Sequence, residues 1–308
     1  MQNNDYGGNG MYKGKKIGVS VPAYNEEEVI EKTLRGIPQF VDRIYVVDDA
    51  SNDGTSKVVE RLMRDDPRIE LIKHKQNMGV GGAIVSGWKR GLREGMDILV
   101  VMAGDNQMDP AYLPHLLDPL VEGKADIAKG TRFHRGYWRE MPKIRLFGTF
   151  LLNILNKIAS GYWNVNDPQN GYVAVRADAL RKLDLDSLHR GYAFENDFLI
   201  RANVKNLRVV NVPVRIRYKV GEKSKLKIVA FAKSTSKFLF KAFLWRVWVK
   251  YIKKGSPVGF LYYLGTLLIL ISPLAWIALS LPVALRLLGV GLLSFVMASA
   301  IEAWRSFR

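Results

Sequence analysis

The C-terminal part of the chain carries the strongest constraint on its fold, an apolar segment without charge. Residues 255–285 contain no Asp, Glu, Lys or Arg, and Val258 to Leu279 alone is long enough for a helix to cross a bilayer. A second apolar stretch runs from Val283 to Ala303, with Arg286 near its start. These segments predict a hairpin of two transmembrane helices, with one span plus an interfacial segment as the alternative.

The net charge of +17 is concentrated directly before this apolar segment. Residues 1–200 carry 27 basic and 27 acidic side chains, whereas residues 201–254 carry 16 basic side chains and the single acid Glu222. A basic stretch that abuts an apolar one indicates a neutral soluble domain held against anionic membrane lipids. We therefore expect no nucleic-acid partner, although the high isoelectric point alone would suggest one.

The basic residues that flank the apolar segments predict their orientation. Lys253 and Lys254 precede the first segment, and Arg305 and Arg308 follow the second. By the positive-inside rule both ends of a two-span hairpin are cytoplasmic, which places the preceding domain at the cytoplasmic face of the cell membrane. Small hairpins often need partners to bury their polar groups, so the pattern also allows a homo-oligomer.

The segment before the first span predicts an amphipathic helix. Leu226 to Ile252 interleaves Phe and Trp with lysines, and Lys233, Lys237 and Lys241 share one face. Such a helix can lie in the lipid interface, and the alternative is a helix packed on the soluble domain. The predicted divisions of the chain are a disordered tail (1–14), a soluble domain (15–222), basic amphipathic juxtamembrane helices (223–254) and the hairpin (255–308).

Apolar runs alternate with helical segments in the first hundred residues. The expected strands cover 16–22, 43–48, 69–73 and 97–102, with helices over 26–36, 55–64 and 79–93 between them and a late strand at 208–218. This alternation predicts βαβ units and a mostly parallel α/β sheet. The ligand crevice of such a sheet lies at the carboxyl ends of its strands, where the polar segments P-A-Y-N-E, D-D-A-S and G-D-N-Q fall.

Six motifs carry a resemblance to a known family. They are V-P-A-Y-N-E-E-E (21–28), V-V-D-D-A-S-N-D-G-T (46–55), G-D-N-Q-M-D-P (104–110), D-P-Q-N-G-Y (167–172), F-E-N-D (194–197) and G-E-K-S-K-L (221–226). The first three resemble family 2 glycosyltransferases of the GT-A fold, which is Rossmann-like. The last three resemble the polyprenyl-phosphate glycosyltransferases of the dolichyl-phosphate mannose synthase type. Their common order along residues 15–230 makes the resemblance specific.

A nucleotide sugar would offer a base, a ribose and a diphosphate to these loops. Tyr24 can stack on the base, while Pro22, Ala23 and Glu26 shape a loop close to the base and ribose. Asp49 could accept hydrogen bonds from the same two groups. The loops after the first two strands therefore predict the nucleotide half of the site.

The diphosphate requires a divalent cation, Mg²⁺ or Mn²⁺, and both prefer oxygen ligands. Asp105 and Gln107 supply such oxygens, with Gly104 beside them at the end of the fourth strand. The family has an Asp at the position of Ala103, as the first residue of its D-x-D motif. This chain therefore has one carboxylate fewer and should hold the metal less tightly, unless Asp109 compensates.

The resemblance implies that the acceptor is a lipid phosphate, which is itself a nucleophile. The chain contains no Cys, and no Ser–His arrangement is needed, but two phosphates must be neutralised and aligned. The cationic candidates are Arg132, Arg145, Arg176 and Lys225, of which the first two match phosphate-binding positions of the family. The candidates for shaping the sugar and acceptor pocket are Asp167, Gln169 and Asp197, with Glu195 as a substitute for the last.

The sequence thus predicts inverting transfer of one hexose from a nucleotide diphosphate sugar to polyprenyl or dolichyl phosphate. The donor stays open among GDP-mannose, UDP-glucose and UDP-N-acetylglucosamine. One alternative is a glycosyltransferase that acts on another lipid or on a polysaccharide. The other is a catalytically inactive nucleotide-binding scaffold at the membrane, which Ala103 supports.

Overall fold

The computed structural model of the chain describes residues 11–133, 143–215 and 228–306, with the backbone alone for 143–149 and 228–234. The strands in these ranges are β1 (Ile17–Ala23), β2 (Arg43–Asp48), β3 (Ile69–Lys73), β4 (Ile98–Val101), β5 (Ile127–Thr131), β6 (Val173–Arg176) and β7 (Val209–Pro213). The helices are α1 (Ile30–Gly36), α2 (Thr55–Asp65), α3 (Gly79–Arg93), α4 (Leu113–Val121), α5 (Lys143–Ser160), α6 (Ala177–Leu180), α7 (Phe194–Val204), α8 (Ile228–Lys250), α9 (Pro257–Ala278) and α10 (Leu281–Ser306).

The sheet is mostly parallel, which confirms the predicted fold class. Its strand order is β3-β2-β1-β4-β6-β5-β7, and β6 runs antiparallel to its neighbours β4 and β5. The other pairs are parallel, so the carboxyl ends of β1, β2, β4 and β5 lie at one edge. We call this edge the carboxyl edge, and it carries the loops that the motifs occupy.

Helices cover both faces of the sheet. One apolar cluster is buried under α1, α2 and α4, and another is buried under α3 and α7. Helix α3 approaches the sheet closely because it presents glycines to it. A Cβ on Gly87 would lie 2.1 Å from Ser20 Oγ, and one on Gly91 would lie 2.3 Å from Leu99 Cδ2. This close approach sets the N-terminus of α3 against the carboxyl edge.

Helix α1 begins at Ile30 rather than at the predicted Glu26, because the residues before it are used by a neighbouring loop. The N–H of Glu26 donates to Thr55 Oγ1 at 2.9 Å, and the N–H of Gly54 donates to the Glu27 carboxylate at 2.8 Å. Asn25, with a φ of +57°, accepts the N–H of Asn52 on its side-chain oxygen. The loops after β1 and β2 are thus joined before either helix begins.

Part of the predicted N-terminal tail packs on the domain. Tyr12 is buried, its ring lies 4.9 Å from the ring of Phe40, and its hydroxyl donates to Asp118 at 2.6 Å. An apolar ring with a polar tip fits this position, because the carboxylate receives the hydroxyl while the ring is covered. Residues 1–10 of the predicted tail and residues 216–218 of the predicted late strand lie outside the described residues.

Helix α8 packs on the catalytic domain and also exposes aromatic side chains. Leu239, Phe243 and Val247 are buried in a cluster with α5, α9 and α10, whereas Trp245 and Trp248 are exposed. One helix therefore combines a face packed on the domain, as the second sequence interpretation expects, with exposed aromatic side chains, as the first expects. A helix with one packed face and one exposed aromatic face can join a domain to a membrane surface.

Helices α9 and α10 form the predicted hairpin. By length and composition, these two helices of the described chain could each span a membrane, and most of their apolar surface is exposed. Their backbones approach closely at two glycines, where a Cβ on Gly265 would lie 2.8 Å from the carbonyl oxygen of Gly291. Small residues at a crossing allow this packing in the absence of a hydrophobic driving force between helices.

Candidate active site

A cavity of about 500 Å³ opens at the carboxyl edge, between the ends of β1, β2 and β4 and the start of α3. It is lined by seven of the residues that the sequence predicts for the site: Pro22, Ala23, Tyr24, Glu26, Asp49, Gly104 and Asp105. They come together because parallel strands end at the same edge of a sheet. The cavity is large enough for a small ligand.

Two aromatic rings lie at this cavity. Tyr24, from the loop after β1, is 45% exposed, and Tyr192, from the loop before α7, is 66% exposed. Exposed tyrosines at a cavity can stack on a planar base. The sequence interpretation missed Tyr192, because no motif marks it and only the packing of α7 against α3 brings it to the carboxyl edge.

Asp49 positions the start of α3. Its carboxylate accepts the N–H groups of Met78 and Gly79, each at 2.8 Å, and lies 2.7 Å from His74 Nδ1. Asp49 is buried, and its neighbour Asp48 accepts the Ser51 N–H within the loop. The carboxylate of Asp49 thus holds one wall of the cavity in place, since an acid is favourable at a helix N-terminus.

The loop after β4 contains the two residues that the sequence predicts as metal ligands. Asp105 lines the cavity and accepts the N–H of Gln107 at 3.0 Å, across Asn106 with a φ of +59°. Gly104 fixes the loop, because its N–H donates to Pro22 O at 3.0 Å and its carbonyl accepts the Thr33 hydroxyl at 2.9 Å. A Cβ on Gly104 would lie 2.9 Å from Ile30 Cδ1.

Asp105 and Gln107 fit a divalent cation only if oxygens of the substrate fill the rest of its coordination shell. No group of three or more His, Cys, Asp or Glu residues suited to a metal occurs among the residues that the structure describes. Ala103 also lines the cavity and adds no oxygen ligand to it. One carboxylate and one amide are hard oxygen donors of the kind that Mg²⁺ and Mn²⁺ prefer, but they are too few to hold the ion alone.

An arginine–carboxylate pair stands at the end of β5. Arg132 Nε and Nη2 donate to the two carboxylate oxygens of Asp167 at 2.7 and 2.8 Å, and the Arg132 N–H donates to the same carboxylate at 3.0 Å. Asp167 is fully buried and Arg132 is nearly so. The two-pronged geometry fixes the plane of the guanidinium, so Asp167 orients Arg132. The structure therefore joins two residues that the sequence predicts separately.

Lys129 is a buried cation that the sequence interpretation missed. It lies inside β5 at 1% exposure, and its ammonium donates to the carbonyl oxygen of Asn170. Burial lowers the pKa of Lys129 to about 8, against the opposing charges of Glu195 and Asp167. The available signal was a lysine inside the strand A-D-I-A-K-G-T, where an apolar residue is expected.

Glu195 lies beside the loop after β4. A Cβ on Gly171 would lie 3.6 Å from Glu195 Oε1 and 3.2 Å from Met108 Cε, which places the carboxyl near the residues that follow Gln107. Burial raises the pKa of Glu195, and the positive charge of Lys129 opposes this. Gln169 reaches the neighbouring Asn196, whose side-chain oxygen accepts its amide N–H at 2.7 Å.

Asp197 does not line the cavity, and its contacts are with a neighbouring loop and helix. Its carboxylate accepts the His189 N–H at 2.9 Å and Arg201 Nε at 3.0 Å. These bonds hold the loop whose Arg190 carbonyl accepts the N–H of Gly81 at 2.7 Å. Asp197 therefore supports the cavity wall through the loop between α6 and α7.

Of the four predicted cations, Arg132 and Arg176 have described side chains, and neither is among the residues that line the cavity. Arg176 lies at the opposite edge of the sheet, where it pairs in register with Ile98 at the start of β4 and bonds Asp178 at 2.8 Å. It ends an antiparallel strand, so its end of β6 points away from the carboxyl edge. Only the backbone of Arg145 is described, on α5, and Lys225 lies outside the described residues.

Fold and site together define a glycosyltransferase with a GT-A catalytic domain. The chain belongs to glycosyl transferase family 2, whose model matches residues 19–184. It is 34% identical over 207 residues to the undecaprenyl-phosphate mannosyltransferase of Micrococcus luteus, covering 66% of this chain and 84% of the relative. It is 29% identical over 218 residues to the UDP-N-acetylglucosamine–dolichyl-phosphate N-acetylglucosaminyltransferase of Methanococcus voltae, covering 66% and 86%.

A solved structure shares the fold. The crystal structure of glucosyl-3-phosphoglycerate synthase from Mycobacterium tuberculosis, in complex with Mn²⁺, UDP and glucosyl-3-phosphoglycerate, aligns with a TM-score of 0.52 at 22% identity. The alignment covers 76% of this chain and 80% of that one. The likeness establishes the fold alone. The predicted family, fold class and enzyme class are thereby confirmed.

Proposed function

We propose that the protein transfers one hexose from a nucleotide diphosphate sugar to a polyprenyl or dolichyl phosphate at the cytoplasmic face of a membrane. The observation that carries this proposal is the cavity that Tyr24 and Asp105 share, in a chain that ends in an apolar hairpin. The names of the two relatives support the lipid phosphate acceptor. The same names differ in the sugar, so the donor stays open.

The nucleotide half of the site would bind the leaving group. Tyr24 and Tyr192 would stack on the base, while Glu26 and the wall held by Asp49 would border the ribose. Asp105 and Gln107 would hold a divalent cation, Mg²⁺ or Mn²⁺, and the Mn²⁺ in the mycobacterial structure supports such an ion. When bound, that ion would neutralise charge on the departing diphosphate.

The acceptor half would bring the lipid phosphate into line. Arg132, oriented by Asp167, would place positive charge beside the attacking phosphate, and Arg145 is the second candidate for this role. A phosphate oxygen would form the bond to the anomeric carbon, and the bond to the diphosphate oxygen would break with its electron pair. Direct displacement inverts the anomeric configuration. No general base is required, because the nucleophile is already an anion.

A donor and acceptor screen with the purified full chain tests the proposal. GDP-mannose, UDP-glucose and UDP-N-acetylglucosamine would each be offered with polyprenyl phosphate, and NMR of the product would give its anomeric configuration. We expect one donor to give an inverted glycosyl phosphate lipid. Turnover only with another lipid or with a glycan would favour the first alternative. Nucleotide binding without any turnover would favour the inactive scaffold, which the missing carboxylate at Ala103 supports.

A further inference from the structure

A second cavity, of about 450 Å³, lies where the catalytic domain meets the base of the hairpin. It borders Val209, the first residue of β7, and is therefore at the edge of the sheet opposite the candidate active site. Lys250 at the end of α8 and Arg305 near the end of α10 line it. We call this space the hairpin-base cavity.

The hairpin-base cavity has an excess of positive charge. Four basic residues line it: Lys124, Arg208, Lys250 and Arg305. Lys124 and Arg208 have acidic partners in Glu122 and Asp126. Within the described part of the chain, no carboxylate lies at salt-bridge distance from Lys250 or Arg305. Neither of these two cations thus has an ion-pair partner of its own among the described residues.

The acid in the cavity wall is already compensated. Glu302 forms a buried ion pair with Arg246, and the hydroxyls of Tyr251 and Tyr262 donate to it at 2.5 and 2.6 Å. Lys250 meets neutral acceptors instead, since its ammonium donates to the carbonyl and side-chain oxygens of Asn203 at 2.8 and 2.7 Å. Burial, together with the charges of Arg246 and Arg305, lowers the pKa of Lys250 to about 8, and the negative charge of Glu302 opposes this only in part.

The hairpin-base cavity lies at the level where the hairpin leaves the domain. Helix α9 begins at Pro257 and α10 ends at Ser306, close to Lys250 and Arg305 in the chain. Trp304 is 56% exposed and Trp248 is also exposed, and indole rings favour the boundary between headgroups and hydrocarbon. The unpaired cations would therefore stand at headgroup depth.

We propose that the hairpin-base cavity binds the phosphate headgroup of an anionic membrane phospholipid, at a site separate from the acceptor site. Lys250 and Arg305 would donate charge-assisted hydrogen bonds to the phosphodiester oxygens. The acyl chains would extend along the exposed apolar side of the hairpin. This inference rests on the membrane placement in the proposed function. A bound headgroup would bridge α8 and α10, because one cation comes from each helix.

The test is lipid binding by the purified full chain in a neutral detergent. The probes are short-chain phosphatidylglycerol, short-chain phosphatidylcholine, glycerol 3-phosphate and inorganic phosphate, with affinity from titration and from the shift in melting temperature. We expect phosphatidylglycerol to bind and phosphatidylcholine to bind far more weakly. Arg305→Gln should weaken phosphatidylglycerol binding about tenfold, because a charged hydrogen bond is lost. Lys250→Gln should do the same.

Lys253→Gln is the matched control, since it removes the same charge from an exposed position outside the cavity. It should keep the affinity for phosphatidylglycerol. Equal binding by Arg305→Gln and Lys253→Gln would overturn the proposal, as would equal affinity for inorganic phosphate and phosphatidylglycerol. Arg305 is exposed, so its variant should fold even if Lys250→Gln does not. Sugar transfer to a detergent-dispersed acceptor should persist in Arg305→Gln, which separates this test from that of the proposed function.

Discussion

Carboxylates at the carboxyl edge differ in what surrounds them. Asp49 is occupied by the N-terminus of α3 and by His74, and Asp167 is occupied by Arg132. Asp105 lines the cavity and accepts the Gln107 N–H within its own loop. Neighbouring acids with the same charge therefore have different tasks, because burial and partners decide which of them can serve a ligand.

Asp105 is the residue whose loss should affect catalysis most. Asp105→Ala and Asp105→Asn should each lower the rate of sugar transfer by about a thousandfold, since loss of a metal ligand costs several kcal/mol of barrier. Excess EDTA should have the same effect, reversible by Mg²⁺ or Mn²⁺. Asp178→Asn is the control, because it removes a carboxylate at the opposite edge of the sheet, where it bonds Arg176. Full activity in a folded Asp105→Ala protein would show that the metal lies elsewhere.

The arginines of the acceptor half should separate binding from transfer. We expect Arg132→Ala and Arg145→Ala to slow transfer while leaving the affinity for the free nucleotide within about threefold, because the proposed function assigns their charge to the lipid phosphate rather than to the nucleotide. Titration of nucleotide and acceptor separately would measure both effects. A fall in nucleotide affinity as large as the fall in rate would contradict the acceptor role.

The buried ammonium of Lys129 should make stability depend on pH. The pKa of Lys129 falls from 10.5 to about 8 in the folded chain, so the unfolded chain binds more protons between these values. The free energy of unfolding should therefore rise from pH 8 to pH 10.5, by about 3 kcal/mol from this group. Lys129→Met should flatten that part of the profile and should be more stable at pH 7. Thermal melts of both proteins between pH 8 and pH 10.5 would measure this. If stability changes with pH equally in the parent protein and in Lys129→Met, the effect is excluded.

At the scale of secondary-structure elements, a buried ion pair joins the hairpin to the domain. Arg246 of α8 is fully buried, bonds Glu302 of α10, and donates from Nε to the Ala159 carbonyl at 2.8 Å at the end of α5. The network connects three helices that are distant in the chain. Removing one partner of such a pair leaves an uncompensated buried charge.

Glu302→Gln should therefore destabilise the docking of α10 by about 3 kcal/mol. The double variant Arg246→Met and Glu302→Leu should recover much of the loss, because an apolar pair of similar volume leaves no charge unpaired. Thermal melts in detergent of the single and double variants form the comparison. A double variant less stable than Glu302→Gln would show that the ion pair itself supplies net stability.

At the scale of the whole molecule, two features would hold the protein to a membrane. Exposed lysines such as Lys237, Lys241 and Lys253 would each favour anionic lipids by about 1 kcal/mol near the surface, an attraction that salt screens. The hairpin adds an apolar anchor that salt does not weaken. Helix α8 takes part in both, since it carries lysines and exposed tryptophans and packs under α9 and α10.

A chain that ends after Lys254 should bind anionic vesicles at low salt and leave them at high salt, whereas the full chain should stay bound. The truncated chain would carry Arg246→Met, because truncation removes Glu302 and leaves the arginine unpaired, and the full chain would carry Arg246→Met together with Glu302→Leu so that neither protein has an unpaired buried charge. Sedimentation with vesicles across a salt series would measure the difference. If the truncated chain ignores anionic vesicles at low salt, α8 belongs to the soluble domain alone.

Local pattern was sufficient for the first four strands and for the hairpin, but it did not predict β5 or β6. The alternation of apolar runs predicts β1 to β4, and the uncharged stretch predicts the hairpin, because periodicity and length are properties of neighbouring residues. The start of α1 was misplaced by four residues, because the acids before Ile30 bond to the loop after β2. No local signal shows that competing partner.

The motifs of this sequence determined the family, and the alternation of apolar and helical segments determined the parallel sheet. The three motifs at the ends of β1, β2 and β4 supplied half of the residues that line the cavity. Only the tertiary structure decided that Arg132 and Asp167 form one unit, that Arg176 lies at the far edge, and that Lys129 is a buried cation. Charges act through distance and burial, and both depend on strand order. The antiparallel β6 sets that order between β4 and β5, and it carries no sequence signal of its direction.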